Sequence, residues 1–222
     1  MISVAIDGPA GAGKSSLSRK VAHKLGYIYV DTGALYRAVG LKFLNLGFDT
    51  DLNCDISKVL EDTVLDIKFV DSEQHVFLDG KDVNNEIRTP KVSMMASAVS
   101  AKGEVRAFLL NMQRSLSEKN NVVMDGRDIG TVVLPNATVK IYLTATPESR
   151  AERRYKELIE KGQTVKFEDV LDDLIKRDYN DMHRDIAPLK QADDAVLADT
   201  TALDFEQSFE LLLSIIEKGT KK

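Results

Sequence analysis

Cysteine is almost absent from the 222-residue chain, in which Cys54 stands alone. A single cysteine excludes an intramolecular disulfide and a metal cluster held by cysteines. The sequence also lacks any apolar run close to the roughly 20 residues that span a bilayer. It lacks, too, a basic start followed by an apolar stretch and a small-residue cleavage site. We therefore expect a cytoplasmic protein without membrane association.

An excess of positive charge is missing as well. The formal net charge is −5, which argues against general nucleic-acid binding. Any anionic ligand must therefore be met by local clusters of arginine. The three histidines share no spacing typical of metal ligands. The hydrophobic and charged fractions, 43% and 29%, are those of a globular chain, and the length predicts a single domain over residues 1–222.

A full match to the phosphate-binding pattern G-x-x-x-x-G-K-[ST] stands at residues 8–15. An apolar run precedes it and apolar residues at helical spacing follow it, which is the strand–turn–helix context that the motif needs. The glycines let backbone N–H groups point at an anion, and the helix start adds its positive dipole end. Lys14 can reach the terminal phosphates, and the Ser15 hydroxyl can hold Mg²⁺. The predicted nucleoside triphosphate site comprises Gly8, Pro9, Ala10, Gly11, Ala12, Gly13, Lys14, Ser15 and Ser16.

Five short apolar runs alternate with segments of helical spacing. This alternation predicts an α/β fold in three layers, with a five-stranded, mostly parallel sheet covered by helices on both faces. A different pattern at residues 65–78, with apolar and polar residues alternating on either side of a polar stretch at 71–74, predicts an antiparallel hairpin. We place this hairpin in an inserted subdomain at about residues 63–90, and we expect a free tail at 219–222. The five runs are residues 2–6, 27–30, 122–124, 139–143 and 195–198.

Aspartates follow three of the predicted strands. In open α/β sheets, ligands bind at the carboxyl ends of the strands, so these positions are candidate site residues. Asp31 is followed by Arg37, and Asp125 is followed by Arg127 and Asp128. An aspartate ending a strand after a phosphate loop indicates the carboxylate on the Mg²⁺ side, here Asp125. The alternative is that Asp125 only begins a turn, because Asp-Gly is also a common turn signal.

Two predicted helices carry arginines at helical spacing. Arg150, Arg153 and Arg154 share one stripe, and we expect them to close over a transferring phosphate. The alternative is a solvated face paired with nearby glutamates. The second set is Arg177, Asp181 and Arg184. It suits a ligand with phosphate and hydroxyl groups, although a surface ion-pair ladder would use the same spacing.

Four segments of the chain resemble bacterial cytidylate kinases, and the resemblance covers essentially the whole sequence. The most specific segment is Asp-Gly-Arg-Asp-Ile-Gly-Thr-Val-Val at 125–133; the others are residues 6–16, residues 31–37, and 177–181 with Arg184 and 187–189. The resemblance implies a P-loop nucleoside monophosphate kinase that transfers the γ-phosphoryl group of ATP to CMP or dCMP with Mg²⁺. It also implies a monomer, an inserted monophosphate-binding region and a helical lid at about 147–164.

The resemblance also implies individual roles. Ser97, Arg106 and Asp128 should read the cytosine, while Arg37 and Arg127 should hold the acceptor phosphate. Arg177 and Asp181 should contact the sugar, with Arg184 nearby, and Thr32 and Tyr36 should line the acceptor pocket. The residues expected to act in catalysis are Lys14, Arg127, Asp128, Arg150, Arg153 and Arg154, and those expected at the metal are Ser15 and Asp125.

Two other functions remain open from the sequence. A P-loop kinase with a hydroxyl acceptor, such as shikimate kinase, would want a carboxylate base and fewer arginines on the acceptor side. A nucleotide-dependent switch is a more distant alternative, and the chain carries no Asn-Lys-x-Asp segment for reading guanine.

Overall fold

Eight strands and eight α-helices make up the computed structural model, which describes residues 1–70 and 73–221. The strands are β1 (Ser3–Asp7), β2 (Ile28–Asp31), β3 (Leu65–Val70), β4 (Glu73–Leu78), β5 (Lys81–Asp82), β6 (Val122–Gly126), β7 (Val139–Thr144) and β8 (Val196–Asp199). The helices are α1 (Lys14–Leu25), α2 (Thr32–Asn45), α3 (Ile56–Glu61), α4 (Pro90–Ser100), α5 (Gly103–Lys119), α6 (Pro147–Glu160), α7 (Phe167–His183) and α8 (Phe205–Thr220). Short turns of 3₁₀ and π helix lie at Glu86–Arg88 and Ile129–Val133.

The central sheet has the strand order β2-β6-β1-β7-β8, and every pair in it is parallel. Side chains on β1 alternate between its two faces, as the period of a strand requires. Val4 and Ile6 pack with residues of α1 and α8 on one face. Ala5 packs on the other face, where the turn at Ile129–Val133 and α5 cover the sheet. The predicted three-layer α/β fold is confirmed.

A second, antiparallel sheet joins β3, β4 and β5. Its register pairs Leu65 with Leu78 and Ile67 with Val76, so the apolar side chains share the face that packs into the cluster around α2. The predicted hairpin is therefore present, and the sequence pattern missed its third strand, which has only two residues. Part of the predicted turn, Asp71 and Ser72, lies outside the described residues.

Close packing of α2 against α4 forms one wall beside the site. A Cβ on Gly40 would lie 3.0 Å from the backbone nitrogen of Ala96, so the absence of a side chain lets the two helices approach. Helix α4 ends at Ser100 and α5 begins at Gly103. Within the described ranges, no helix combines the length and the apolar character needed to cross a bilayer.

Helix α6 starts with a side-chain cap, and helix α8 extends to Thr220. Thr146 accepts a hydrogen bond from the Ser149 nitrogen at 3.3 Å and Pro147 opens α6, which are residues typical of these two positions. The prediction of a free tail from residue 219 is wrong, because α8 continues to Thr220. Gly219 packs so closely on β7 that a Cβ there would lie 2.6 Å from Val139.

Candidate active site

The phosphate-binding loop joins β1 to α1. Gly8 has φ +152°, and a Cβ there would lie 1.9 Å from the carbonyl oxygen of Leu143 on β7, so only glycine fits. Gly11 and Gly13 also have positive φ values, +72° and +82°. Helix α1 begins directly after Gly13, which has no side chain. The N–H groups of the first turn of α1 can therefore face an anion. Residues 10–16 line a cleft of about 480 Å³, a volume typical of a small-ligand site.

Among the cationic side chains that line this cleft are Lys14, Arg37, Arg127 and Arg177. Burial lowers the pKa of Lys14, and the nearby Arg127 guanidinium lowers it further. Burial, followed by repulsion from Arg127, lowers the pKa of Arg177 to about 10. Buried like charges raise each other's free energy, so this arrangement favours ligands that bring several negative charges.

Asp125 lies at the end of β6, behind the phosphate-binding loop. Its Oδ2 accepts a hydrogen bond from the Ser15 hydroxyl at 3.0 Å, and its Oδ1 accepts one from the Tyr29 hydroxyl at 2.8 Å. Burial and the charge of Asp31 raise the pKa of Asp125. The structure thus brings together the two residues, Ser15 and Asp125, that the sequence predicts on the metal side. Tyr29 was not predicted, although its position two residues before Asp31 places both on one face of β2.

The end of β2 holds the acceptor-side arginine in place. Asp31 Oδ1 accepts from the Ala34 nitrogen at 2.9 Å and thereby caps α2. Its Oδ2 accepts from Arg37 at 2.8 Å. The Thr32 hydroxyl donates to the carbonyl oxygen of Asp125 at 2.7 Å, which joins the ends of the neighbouring strands β2 and β6. The bond to Asp31, which is itself held by the start of α2, therefore fixes the position of the Arg37 side chain in the cleft.

Asp128 lies at the far end of the same cleft, almost fully buried. One carboxylate oxygen contacts Arg106, and the other accepts from Arg184 at 3.2 Å. Burial raises the pKa of Asp128, against the opposing pull of Arg106 and Arg184. Arg106 also lies over the ring of Tyr36, with 5.6 Å between guanidinium carbon and ring centroid. Arg106 and Asp128, two of the predicted base-reading residues, are thus in contact, and the third, Ser97, also lines the cleft.

A third carboxylate, Asp181, orients the arginine that precedes Asp128. Arg127 donates to Asp181 Oδ2 at 2.7 Å. The charge of Arg127 keeps the pKa of Asp181 low although burial alone would raise it. Arg177 and Asp181 both line the cleft, together with Arg184 from the end of α7. This face of α7 is therefore part of the site and not a surface ion-pair ladder.

A family model described as cytidylate kinase matches residues 4–218. The chain belongs to the cytidylate kinase family. Such a protein is an ATP-dependent nucleoside monophosphate kinase, a phosphotransferase, and this confirms the enzyme class predicted from the motifs.

Relatives of the cytidylate kinase family match over nearly their full lengths. The chain is 52% identical to the cytidylate kinase of Caldicellulosiruptor bescii, over 99% of this chain and 97% of that protein. It is 45% identical to the cytidylate kinase of Lactobacillus johnsonii, over 100% and 96% of the two chains.

Among solved structures, an uncharacterized protein from Eubacterium ventriosum matches with a TM-score of 0.54 at 12% identity, over 98% of this chain and 99% of that chain. A gluconokinase from Sinorhizobium meliloti matches with a TM-score of 0.50 at 13% identity, over 98% and 92%. At such low identity the likeness concerns the fold alone.

The three arginines of α6 face separate surroundings, and of the three only Arg154 lines the cleft. The prediction that Arg150 and Arg153 close over a transferring phosphate together with Arg154 is therefore wrong for this structure. Arg150 is 3% exposed and donates to Ala145 O at 2.9 Å, Ala10 O at 2.7 Å and Asp178 Oδ2 at 2.6 Å. Asp178 Oδ1 accepts from the Ala10 nitrogen at 2.9 Å. Arg150 and Asp178 together therefore hold both backbone groups of Ala10 and support the phosphate-binding loop from behind.

The other two arginines of α6 face different surroundings. Arg153 donates to the carbonyl oxygens of Thr200 at 2.5 Å and Leu203 at 3.4 Å, in the segment between β8 and α8. Arg154 lines the cleft and pairs with Glu157 at 2.7 Å. Positions three and four residues apart on a helix place their Cβ atoms on one face. The long side chains of these arginines nevertheless reach different partners.

Besides Tyr29, sequence reasoning missed Asp178 and Arg88. Asp178 follows Arg177 directly, yet its partner Arg150 is 28 residues away, and no local pattern indicates such a pair. Arg88 lines the cleft from the 3₁₀ turn after the second sheet. It stands in a stretch without clear periodicity, so only the fold reveals it.

Proposed function

We propose that this protein transfers the γ-phosphoryl group of ATP to CMP and dCMP. ATP binds at residues 8–16, and the monophosphate binds between Arg37 and Asp128. The observation that carries the proposal is the set of residues that line one continuous cleft. It joins a phosphate-binding loop to a buried carboxylate flanked by two arginines.

Asp128 with its arginines suits cytosine as the acceptor base. A carboxylate accepts from the exocyclic amine of cytosine, and Arg106 can donate to the acceptors of the ring. Uracil has a carbonyl where cytosine has the amine, so Asp128 would then face another acceptor. Buried groups left unpaired in this way penalise the wrong substrate strongly. The site should therefore select CMP and dCMP over UMP.

The cations of the cleft suit two adjoining phosphates. The nucleophile is an oxygen of the acceptor phosphate, which is already ionised near neutral pH, so the chain needs no dedicated base. Its task is to hold two polyanions in line and to offset their repulsion. Lys14 serves the donor, and Arg37, Arg127 and Arg177 serve the acceptor. Arg154, on the cleft side of α6, is the candidate contact to the transferring group.

Ser15 and Asp125 fit Mg²⁺. A hydroxyl and a carboxylate are hard oxygen ligands of the kind this ion prefers, and they lie 3.0 Å apart beside the phosphate-binding loop. When bound, Mg²⁺ neutralises charge on the terminal phosphates of the nucleotide. Tyr29 holds Asp125 in place from its other oxygen.

A panel of acceptors tests the proposed function. ADP release would be followed with CMP, dCMP, UMP, AMP and gluconate at equal concentrations. We expect fast turnover with the two cytidine nucleotides and at least about 100-fold lower kcat/KM with UMP. Turnover of gluconate, or of AMP above CMP, would contradict the proposal and favour another P-loop kinase.

The oligomeric state and the location of the protein stay predictions. We infer a monomer from the family resemblance and a cytoplasmic location from the composition, with its single cysteine. Light scattering on the purified protein should then give the mass of one chain, with and without CMP.

A further inference from the structure

The carboxylate of Asp7 connects strand β1, which leads into the phosphate-binding loop, to the turn that follows Asp128. Asp7 is the last residue of the central strand β1, directly before Gly8, and it is buried. Its Oδ1 accepts from the Ile129 nitrogen at 2.7 Å, and its Oδ2 accepts from the Gly130 nitrogen at 2.7 Å. Both oxygens are therefore used on the first two N–H groups of the π-helical turn Ile129–Val133.

The residue in the capping position of that turn is Asp128. Aspartate is among the preferred residues there, because its carboxylate can accept from the free N–H groups of the first turn. Asp128 does not do so; its two oxygens lie with Arg106 and Arg184. The bond to the Gly130 nitrogen that an N-cap side chain would make comes from Asp7 instead, and Asp7 also accepts from the Ile129 nitrogen, across 123 and 122 residues of sequence.

We propose that Asp7 is a positioning residue for the selection of the acceptor base: by capping the turn Ile129–Val133 from β1, it leaves the carboxylate of Asp128 with Arg106 and Arg184, turned away from its own turn and toward the base. The inference rests on the proposed function, since it assigns to Asp128 the reading of cytosine. Asp7 itself does not touch the substrate and acts through Asp128.

The surroundings of Asp7 fit a dedicated cap. Burial raises its pKa to about 6, against the opposing effect of the two backbone hydrogen bonds. Asp128 raises this pKa further, and Lys14 lowers it. Gly130 packs closely on the stem of Lys140, because a Cβ at this position would lie 3.2 Å from it. Burial disfavours the ionised form of Asp7, and the N–H groups of Ile129 and Gly130 are the partners that stabilise it.

The decisive measurement is the CMP-over-UMP ratio of kcat/KM in the variant Asp7→Asn. The amide keeps one acceptor but turns its NH₂ group toward the other backbone N–H, so one cap is lost. We expect Asp128 to move toward its own turn and the ratio to fall roughly 10-fold, as for the loss of a helix cap. The KM for ATP should stay within about twofold. Asp194→Asn is the matched control, because it removes an exposed carboxylate that pairs with Lys140, and its ratio should not change.

A double-mutant cycle separates positioning from general support. In the background Asp128→Ala, Asp7→Asn should leave the CMP-over-UMP ratio unchanged, since the residue through which it acts is gone. If Asp7→Asn lowers turnover of CMP and UMP equally, or lowers the ratio again in the Asp128→Ala background, the proposal is overturned. Should Asp7→Asn not accumulate as folded protein, Asp7→Glu tests the same point, because it displaces both oxygens by one methylene. A wild-type enzyme without CMP turnover would instead contradict the proposed function.

Discussion

Replacing Arg150 by methionine should destabilise the protein more than it slows the reaction. Methionine keeps much of the length of the side chain but removes the donors to Ala10, Ala145 and Asp178. Asp178 is then a buried carboxylate that has lost its cation. Breaking a buried ion pair by removing one partner costs about 3–5 kcal/mol of folding free energy.

The loss is large enough for a thermal melt. For a chain of this size each kcal/mol corresponds to about 2–4 °C, so we expect Tm to fall by about 6–20 °C. Below the lowered Tm, kcat should stay within about tenfold of wild type, because Arg150 does not face the cleft. The KM for ATP should rise, since Ala10 loses a fixed hydrogen-bond partner in the phosphate-binding loop.

Arg154→Met is the matched control from the same helix. Its side chain is 43% exposed and lines the cleft, so the free energy of unfolding should change by no more than about 0.5 kcal/mol. If Arg154 stabilises the transferring phosphate, kcat should fall by about 10²- to 10³-fold. The two arginines would thus show opposite patterns.

The reverse pattern would refute the reasoning. An Arg150→Met protein with unchanged Tm and a thousandfold lower kcat would show that Arg150, and not Arg154, reaches the phosphate. The double variant Arg150→Met/Asp178→Leu supplies a second check. Replacing a whole buried pair by apolar residues is often neutral, so the double variant should recover much of the Tm that Arg150→Met loses.

Three further substitutions test other parts of the site. Ser15→Ala should raise the Mg²⁺ concentration for half-maximal rate by about 10- to 100-fold, whereas Ser15→Thr, which keeps the hydroxyl, should not. Asp128→Ala should reduce the CMP-over-UMP preference by about 100-fold with the KM for ATP unchanged, and an unchanged preference would show that the base is read elsewhere. Gly8→Ala should lower stability by about 2–6 kcal/mol in a thermal melt, because its Cβ would strike the Leu143 carbonyl and its positive φ is strained; a normal Tm would mean that the loop can move away.

The parts of the site that follow from local rules could be predicted from sequence. Hydrophobic periodicity locates the strands, and the carboxyl ends of parallel strands meet at one edge of the sheet. Asp31 and Asp125 were therefore expected at the same edge, and the register of β2 and β6 pairs them directly. The cap at Thr146 is a local feature of the same kind, since capping depends on residues within one turn.

Contacts between distant segments could not be predicted in this way. The pairing of Arg150 with Asp178 depends on how α6 packs against α7, and the bonds of Asp7 depend on the turn after β6. An arginine side chain has several rotatable bonds, so its Cβ position does not fix where its guanidinium ends. The sequence placed three arginines on one stripe, and packing sent them to three different environments.

Arg127 explains why the two halves of the cleft act as one electrostatic unit. It is the charged neighbour with the largest effect on the pKa of Lys14, and likewise on that of Arg177. It also pairs with Asp181 on α7. Under the proposed function, an acceptor phosphate bound at Arg127 would reduce the repulsion that Lys14 experiences from that guanidinium. Because coupling between binding sites is reciprocal, ATP bound at Lys14 would then favour binding of the acceptor to the same extent.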